Sequence, residues 1–153
     1  MKPIKHTVNE ITVAYKMKKR NEKQLMIRSS ADAAIYIMDG FDRNTIAMQE
    51  QFVVLYLNPA NCILGLYRAS SGGLTGTVAD IRIILSIGLK TLATSIVIAH
   101  NHPSGTLKPS PNDIQLTQKF SEAAKTMDIK LLDHLIITPD NKFFSFGDEG
   151  LLQ

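Results

Sequence analysis

The chain has 153 residues, of which 44% are hydrophobic and 20% are charged, with a formal net charge of +3 at pH 7. This length and apolar fraction suit a single folded domain whose core needs neither disulfides nor a partner for stability, so a second domain is not expected. Because Cys62 is the only cysteine, an internal disulfide and a cysteine-rich zinc site are both excluded.

The excess positive charge is small and partly concentrated in one run near the N-terminus: Lys16, Lys18, Lys19, Arg20 and Lys23. Such a run is more often a solvated turn than a nucleic-acid-binding stripe, so nucleic acid is a weakly supported partner. The N-terminus lacks an apolar signal region, and no apolar run reaches the roughly 18 residues of a membrane span. We therefore expect a cytoplasmic protein without a membrane partner.

Residues 1–29 are expected to form a lead-in segment to one domain that covers residues 30–153. Within the segment, residues 11–17 are β-prone and predict a strand, which could pair within the chain or with a second copy in a homo-oligomer. Ser29 and the residues after it predict the start of a helix that continues to Met38. The continuous apolar run over 52–57 predicts a strand buried on both faces.

The remaining elements follow from the same patterns of apolar spacing. We predict a hairpin partner over 61–67 closed by a turn at 70–73, a helix over 79–90, a strand over 95–99, a helix over 111–127, and strands over 129–138 and 142–146. Helices alternate with strands along most of the chain, which indicates an α/β layered fold.

The strand predicted at 95–99 leads directly into His100, Asn101 and His102. In extended backbone, residues two apart point to the same face, so the two imidazoles can be directed at one ion. Pro103 favours this conformation because the residue before a proline is pushed out of the α region. The pair therefore predicts two metal ligands at the end of a buried strand.

Asp113 is the candidate third ligand, with an alternative interpretation. Ser110 through Asp113 can be understood entirely as a helix start, with Ser110 as N-cap and Asp113 favoured in the first turn. The two interpretations are compatible, because a carboxylate fixed in a capped turn is a well-held ligand. Two histidines and one carboxylate leave a coordination position for water, which is the arrangement of catalytic zinc. The general base for that water is open by residue type among Glu10, Glu22, Glu50, Glu122 and Glu149, with Glu50 favoured because it enters the strand at 52–57.

At these residues the sequence resembles the RadC family, within the JAB/MPN (JAMM) metal-hydrolase superfamily. The spacing His100-x-His102-x7-Ser110-x2-Asp113 matches the superfamily motif, and residues 100–105 match the RadC signature. The resemblance covers roughly residues 30–153 and includes the phrase around His134. Between the histidines stands Asn101, where many JAMM peptidases have Ser or Thr.

The resemblance implies a cytidine-deaminase-like α/β fold with a central mixed sheet, and one zinc ion held by His100, His102 and Asp113. It also implies Glu50 as general acid/base and Ser110 as a donor to the oxyanion of the intermediate. The implied reaction is hydrolysis of an amide, peptide or isopeptide bond in an unknown peptide or protein substrate.

Two rival interpretations remain: a DNA-associated module, suggested by the family's historical link to DNA repair, and a non-catalytic metal-binding domain. The modest charge, the absence of Trp, and the lack of room for the helix-hairpin-helix region of longer RadC proteins count against DNA binding. The complete motif favours an enzyme. His134, which lies on another predicted strand, is expected to be a structural or hydrogen-bonding residue, and Lys108 a solvated loop residue.

Overall fold

A computed structural model describes residues 11–12, 14–16, 25–72 and 79–152. In these ranges the elements are α1 (Ser30–Met38), β1 (Gln51–Leu57), β2 (Ile63–Ser71), α2 (Ile81–Lys90), β3 (Ser95–Asn101), α3 (Pro111–Thr126), β4 (Lys130–Ile137) and β5 (Phe143–Ser145). The strands form one sheet in the order β2-β1-β3-β4-β5. Only β3 and β4 run parallel, and the other neighbours are antiparallel. The predicted α/β fold with a mixed sheet is confirmed.

Strands β1 and β3 form the centre of the sheet and are buried at every position. Their side chains alternate between two core clusters, as period-two geometry requires. Val53 and Val97 belong to the cluster beneath α1, whereas Val54 and Ile98 belong to the cluster beneath α2 and α3. Because helices cover both faces, the apolar run predicted as a doubly buried strand over 52–57 is confirmed.

The helices begin at side chains that satisfy their free amide groups. Ser29 caps α1 by accepting the N–H of Asp32, and Asp80 caps α2 by accepting the N–H of Arg82. Helix α3, predicted over 111–127, buries Thr117, Phe120 and Ala124. No helix in the described part of the chain is long and apolar enough to cross a bilayer.

Strand β2 is longer than its sequence predicts. Ser70 and Ser71, expected in a turn, lie in the strand and pair with Phe52 and Gln51. The turn prediction there is wrong because pairing with β1 continues past a register shift between Phe52 and Val53, a contact that local sequence does not reveal.

Two other predictions fall largely outside the described ranges. These ranges include residues 11–12 and 14–16 of the strand predicted at 11–17, and those residues are not in a strand. Most of the basic run after Lys16 lies outside the described residues.

A buried carboxylate joins β4 to the turn after β5. Asp133 Oδ2 accepts the hydroxyl of Ser145 at 2.6 Å, and Oδ1 accepts the N–H groups of His134 and Gly147 at 2.8 and 2.9 Å. Burial raises the pKa of Asp133 above its usual range, although these hydrogen bonds partly oppose the shift. The carboxylate therefore holds the short strand β5 and the following turn against the end of the sheet.

Candidate metal centre

His100 and His102 project from the end of β3, at the centre of the sheet. His100 pairs with Phe52 of β1 on one side and with Ile136 of β4 on the other. The backbone stays extended beyond the strand, because the N–H of His102 donates to the carbonyl of Ile137 at 2.9 Å. The two imidazoles therefore lie on one face of the sheet, as their spacing predicts.

Asp113 is held in the first turn of α3 by a reciprocal capping arrangement. The Ser110 hydroxyl oxygen accepts the N–H of Asp113 at 3.1 Å, and Asp113 Oδ2 accepts the N–H of Ser110 at 2.7 Å. Pro111 occupies the start of the helix, where its missing N–H costs nothing. The prediction of Ser110 as N-cap is confirmed, and the carboxylate is fixed by the same hydrogen bonds that begin the helix.

Sheet and helix bring the three candidate ligands together. Asp113 Oδ1 lies 3.1 Å from His100 Nε2, Asp113 Oδ2 lies 3.3 Å from His102 Nε2, and the two Nε2 atoms are 3.0 Å apart. One donor atom from each residue falls within 4.8 Å of the others. Both histidines are buried and Asp113 is largely buried. Two imidazoles and a carboxylate converging from rigid elements could hold one metal ion, and zinc accepts this donor set.

The Asp113 carboxylate and the His102 imidazole stabilise each other's charged forms. Burial alone would raise the pKa of Asp113, but hydrogen bonds from His100 and His102, the charge of His100 and the amide of Ser110 together lower it far below its usual range. Burial would lower the pKa of His102, but Asp113, the carbonyl of Thr106 and the charge of Glu50 raise it. The cluster is thus electrostatically suited to hold an anionic Asp113 next to a positive charge.

The second nitrogen of each imidazole is hydrogen-bonded away from the cluster. His102 Nδ1 lies 2.9 Å from the carbonyl of Thr106, which can only accept, so Nδ1 carries a proton and Nε2 is the nitrogen that can bind an ion once its own proton is lost. His100 Nδ1 lies 2.8 Å from His134 Nε2 on β4, and His134 Nδ1 lies 2.6 Å from the Thr117 hydroxyl. The expectation that His134 is a structural, hydrogen-bonding residue is confirmed.

The direction of the hydrogen bonds that link His100, His134 and Thr117 decides which nitrogen of His100 can bind a cation. The Thr117 hydroxyl also lies 2.7 Å from the backbone carbonyl of Asp113. When Thr117 donates there, its oxygen accepts from Nδ1 of His134, and Nε2 of His134 accepts from Nδ1 of His100. In the opposite direction the proton of His100 would be on Nε2, between His102 and Asp113. Only the first direction leaves Nε2 of His100 free to bind an ion.

Aromatic rings enclose the buried imidazoles. Phe52 stacks on His100 with ring centroids 6.4 Å apart, and Phe146 stacks on His134 at 4.6 Å. Burial, followed by the charge of His100, lowers the pKa of His134 well below its usual range. His134 therefore stays neutral at neutral pH, which its role as both donor and acceptor requires.

Glu50 immediately precedes β1 and lies beside the cluster. Glu50, His102, Pro103 and Met48 line a cavity of about 390 Å³. Two larger grooves, of about 640 and 440 Å³, run along α3, and none of the three candidate ligands lines them. The smaller cavity is the one that a candidate ligand, His102, lines together with Glu50. Lys108, in the loop beyond it, is exposed as predicted.

The sequence did not reveal two residues that shape this centre. Thr117 was not singled out, and Asn101 was noted only as a departure from the superfamily pattern. Both have polar side chains at buried positions, which is the signal that could have singled them out, because buried polar groups require partners. Their partners lie on other elements and become known only from the fold.

Comparison with known proteins shows which family the sequence matches. The profile of the RadC-like JAB domain matches residues 27–151. A UPF0758 protein of Flavobacterium johnsoniae is 46% identical over 102 residues, covering 67% of this chain and 44% of its own length. A UPF0758 protein of Porphyromonas gingivalis is 49% identical over 104 residues, covering 68% and 46%. One from Desulforudis audaxviator is 37% identical over 150 residues, covering 93% and 62%. The chain thus spans about half the length of the first two relatives.

Proposed function

Because this chain belongs to the RadC-like JAB domain family, we propose that it is a JAMM-type hydrolase that binds one zinc ion through His100, His102 and Asp113. Its substrate class is an amide, peptide or isopeptide bond. The observation that carries the proposal is the convergence of two Nε2 atoms and a carboxylate within 4.8 Å, with Nδ1 of both imidazoles hydrogen-bonded elsewhere.

Bound zinc would supply Lewis acidity to a substrate carbonyl and lower the pKa of a water ligand to about 7. The chain's own residues would do the rest. Glu50 lines the cavity next to His102 and would take the proton of the attacking water and return it to the leaving nitrogen. Removal of such a general base typically lowers the rate about 10²–10⁴-fold.

Ser110 is proposed to stabilise the oxyanion of the tetrahedral intermediate. Its hydroxyl oxygen accepts the N–H of Asp113, so capping uses the oxygen lone pair and leaves the hydroxyl proton to be donated. The residue is half-buried, and its backbone N–H anchors the Asp113 carboxylate. A donor held in this way next to a ligand requires little reorganisation as charge develops.

The experiment measures zinc content and hydrolysis in parallel. Zinc affinity is obtained by competition with a chromophoric chelator, and hydrolysis is assayed with a peptide library analysed by mass spectrometry. We expect His102→Ala and Asp113→Ala to lose stoichiometric zinc, and Glu50→Gln to keep zinc but lose cleavage. Glu122→Gln, on the exposed surface of α3, is the matched control and should retain both.

Unchanged zinc binding in both ligand variants would overturn the site. Cleavage by Glu50→Gln at the wild-type rate would overturn the role of Glu50. The DNA-associated module is a distinct outcome: DNA affinity that is strong, steeply salt-dependent and indifferent to all three substitutions would favour it over the hydrolase.

A further inference from the structure

Asn101 lies between the two candidate ligands but points to the opposite face of the sheet. His100 and His102 face the layer of α3, whereas Ala99 and Val97, which share the face of Asn101, belong to the core beneath α1. The side chain of Asn101 is completely buried, with 0% of its surface exposed. A buried amide carries two donor hydrogens and an acceptor oxygen, and each requires a partner.

All three partners of Asn101 belong to the backbone that carries Glu50. The amide nitrogen donates to the carbonyls of Ile46 and Gln49 at 2.7 and 2.8 Å, and Oδ1 accepts the N–H of Gln51 at 2.6 Å. Gln49 and Gln51 are the two neighbours of Glu50. The side chain of Asn101 therefore holds the peptide groups on both sides of this residue.

We call these three hydrogen bonds of the Asn101 side chain the Asn101 clamp. Its position follows from where the pairing between β1 and β3 ends. Pairing between β1 and β3 begins at Leu57 and Ser95 and ends at Phe52 and His100. The residues that precede Phe52 have no ladder pairing with β3. There the Asn101 side chain hydrogen-bonds to the backbone of Gln51 and Gln49 instead. From the other side, the N–H of Gly72 donates to the carbonyl of Glu50 at 2.7 Å.

The turn before Glu50 is tied down by a second amide. Gln51 Oε1 accepts the N–H of Asp42 at 2.7 Å, and its Nε2 donates to the carbonyl of Asp42 and to the hydroxyl of Thr45, both at 3.2 Å. The segment before Glu50 that Asn101 contacts is thus already held by hydrogen bonds from the Gln51 side chain. What Asn101 adds is a direct connection from that turn to the strand of the two histidines.

We propose that Asn101 is a positioning residue that sets the carboxylate of Glu50 relative to the metal ion. It is covalently linked to both histidines and hydrogen-bonded to both neighbours of Glu50, so ligands and base move as one unit. Serine or threonine carries one hydroxyl proton and cannot make both donations, and aspartate has no donor hydrogen when ionised. The inference rests on the proposed role of Glu50.

The test measures where the Glu50 carboxylate lies when cobalt occupies the site. The full chain is labelled with ¹³C at the glutamate side-chain carboxyls and loaded with Co²⁺, whose paramagnetism displaces or broadens nearby resonances. The Glu50 signal is assigned by its loss in Glu50→Gln. In Asn101→Ala we expect the cobalt-induced displacement of this signal to fall below half the wild-type value.

Two further measurements separate repositioning from general damage. The amide of Gln51 should exchange with solvent about tenfold faster in Asn101→Ala, the size expected for one lost hydrogen bond. Zinc affinity should change by less than about threefold, because the groups that orient both imidazoles are untouched. The matched control is Asn58→Ala, which removes a side chain that bonds the N–H groups of Ala60 and Cys62 at the other end of β1. This control should leave the displacement and the zinc affinity unchanged.

The possible outcomes distinguish the positioning role of Asn101 from the proposed function. A full Glu50 displacement in Asn101→Ala, with Gln51 exchange accelerated, overturns the positioning role alone. Failure of the wild-type protein to bind cobalt, or a Glu50 signal that cobalt does not affect, overturns the proposed function and the positioning role together. If Asn101→Ala does not fold, Asn101→Ser replaces it with the same readouts, because one hydroxyl can restore only part of the clamp.

Discussion

Replacing Thr117 by valine removes one hydroxyl group, changes the side-chain shape little, and tests how His100 is prepared to bind a metal. The hydroxyl lies 2.6 Å from His134 Nδ1 and 2.7 Å from the carbonyl of Asp113. Without that oxygen, a proton on Nδ1 of His134 has lost its acceptor in a fully buried position. His134 then favours the proton on Nε2, and His100 responds by placing its own proton on Nε2, inside the ligand cluster.

The same contacts set the free-energy cost of zinc binding in Thr117→Val. Before zinc can bind, His100 must return to the tautomer with a free Nε2, and His134 must again bury an Nδ1–H without a partner. Such an unsatisfied donor costs about 1–3 kcal/mol. At 1.4 kcal/mol for each factor of ten, zinc affinity should fall roughly 5- to 150-fold, in line with about 10–100-fold for partners that orient metal-bound histidines.

The assay is competition for zinc against a chromophoric chelator at fixed pH, with ¹⁵N NMR of the histidine rings reporting the tautomers. Thr117→Ser keeps the hydroxyl and is the matched control, expected to bind zinc within about threefold of wild type. Unfolding of the metal-free variants in urea separates a binding defect from a folding defect. Wild-type zinc affinity in Thr117→Val, or equal weakening in Thr117→Ser, would refute the reasoning.

Two predictions concern stability. Because burial raises the pKa of Asp133, the folded protein favours the protonated carboxyl more than the unfolded chain does. The associated stability is lost as pH rises from about 3.9 through the raised pKa, so urea unfolding should show Asp133→Asn gaining stability relative to wild type between pH 4 and pH 7. A loss of stability relative to wild type over this range would contradict the raised pKa of Asp133. A Cβ added at Gly40 would lie 2.6 Å from Val53 Cγ1, so Gly40→Ala should lower the free energy of unfolding by about 1–3 kcal/mol. Gly65→Ala, where a Cβ meets nothing within 4 Å, is the control, and an equal loss in both variants would refute the steric explanation.

Local sequence was sufficient to predict the elements that present the candidate ligands. The apolar run before His100 specified a buried strand, Pro103 favoured extended backbone at His102, and Ser110 with Asp113 specified a capped helix start. Each of these is a property of a few neighbouring residues, which is why the strand end and the helix start could be recognised before the fold was known.

The contacts that organise the centre depend on register and packing instead. His134 meets His100 because β4 pairs in parallel with β3, and Thr117 meets His134 because α3 crosses that face of the sheet. Asn101 reaches the turn before β1 across more than fifty residues of sequence. Such contacts have no local signature, because they depend on which strands become neighbours and in what register.

The proposed function requires above all a single metal ion bound by His100, His102 and Asp113. Crystals of the protein loaded with one equivalent of zinc, measured on both sides of the zinc absorption edge, would locate the ion. We expect one anomalous peak bonded to Nε2 of both histidines and to a carboxylate oxygen of Asp113, at about 2.0–2.2 Å from each. An anomalous peak elsewhere in the protein, or none at these three residues, would contradict it.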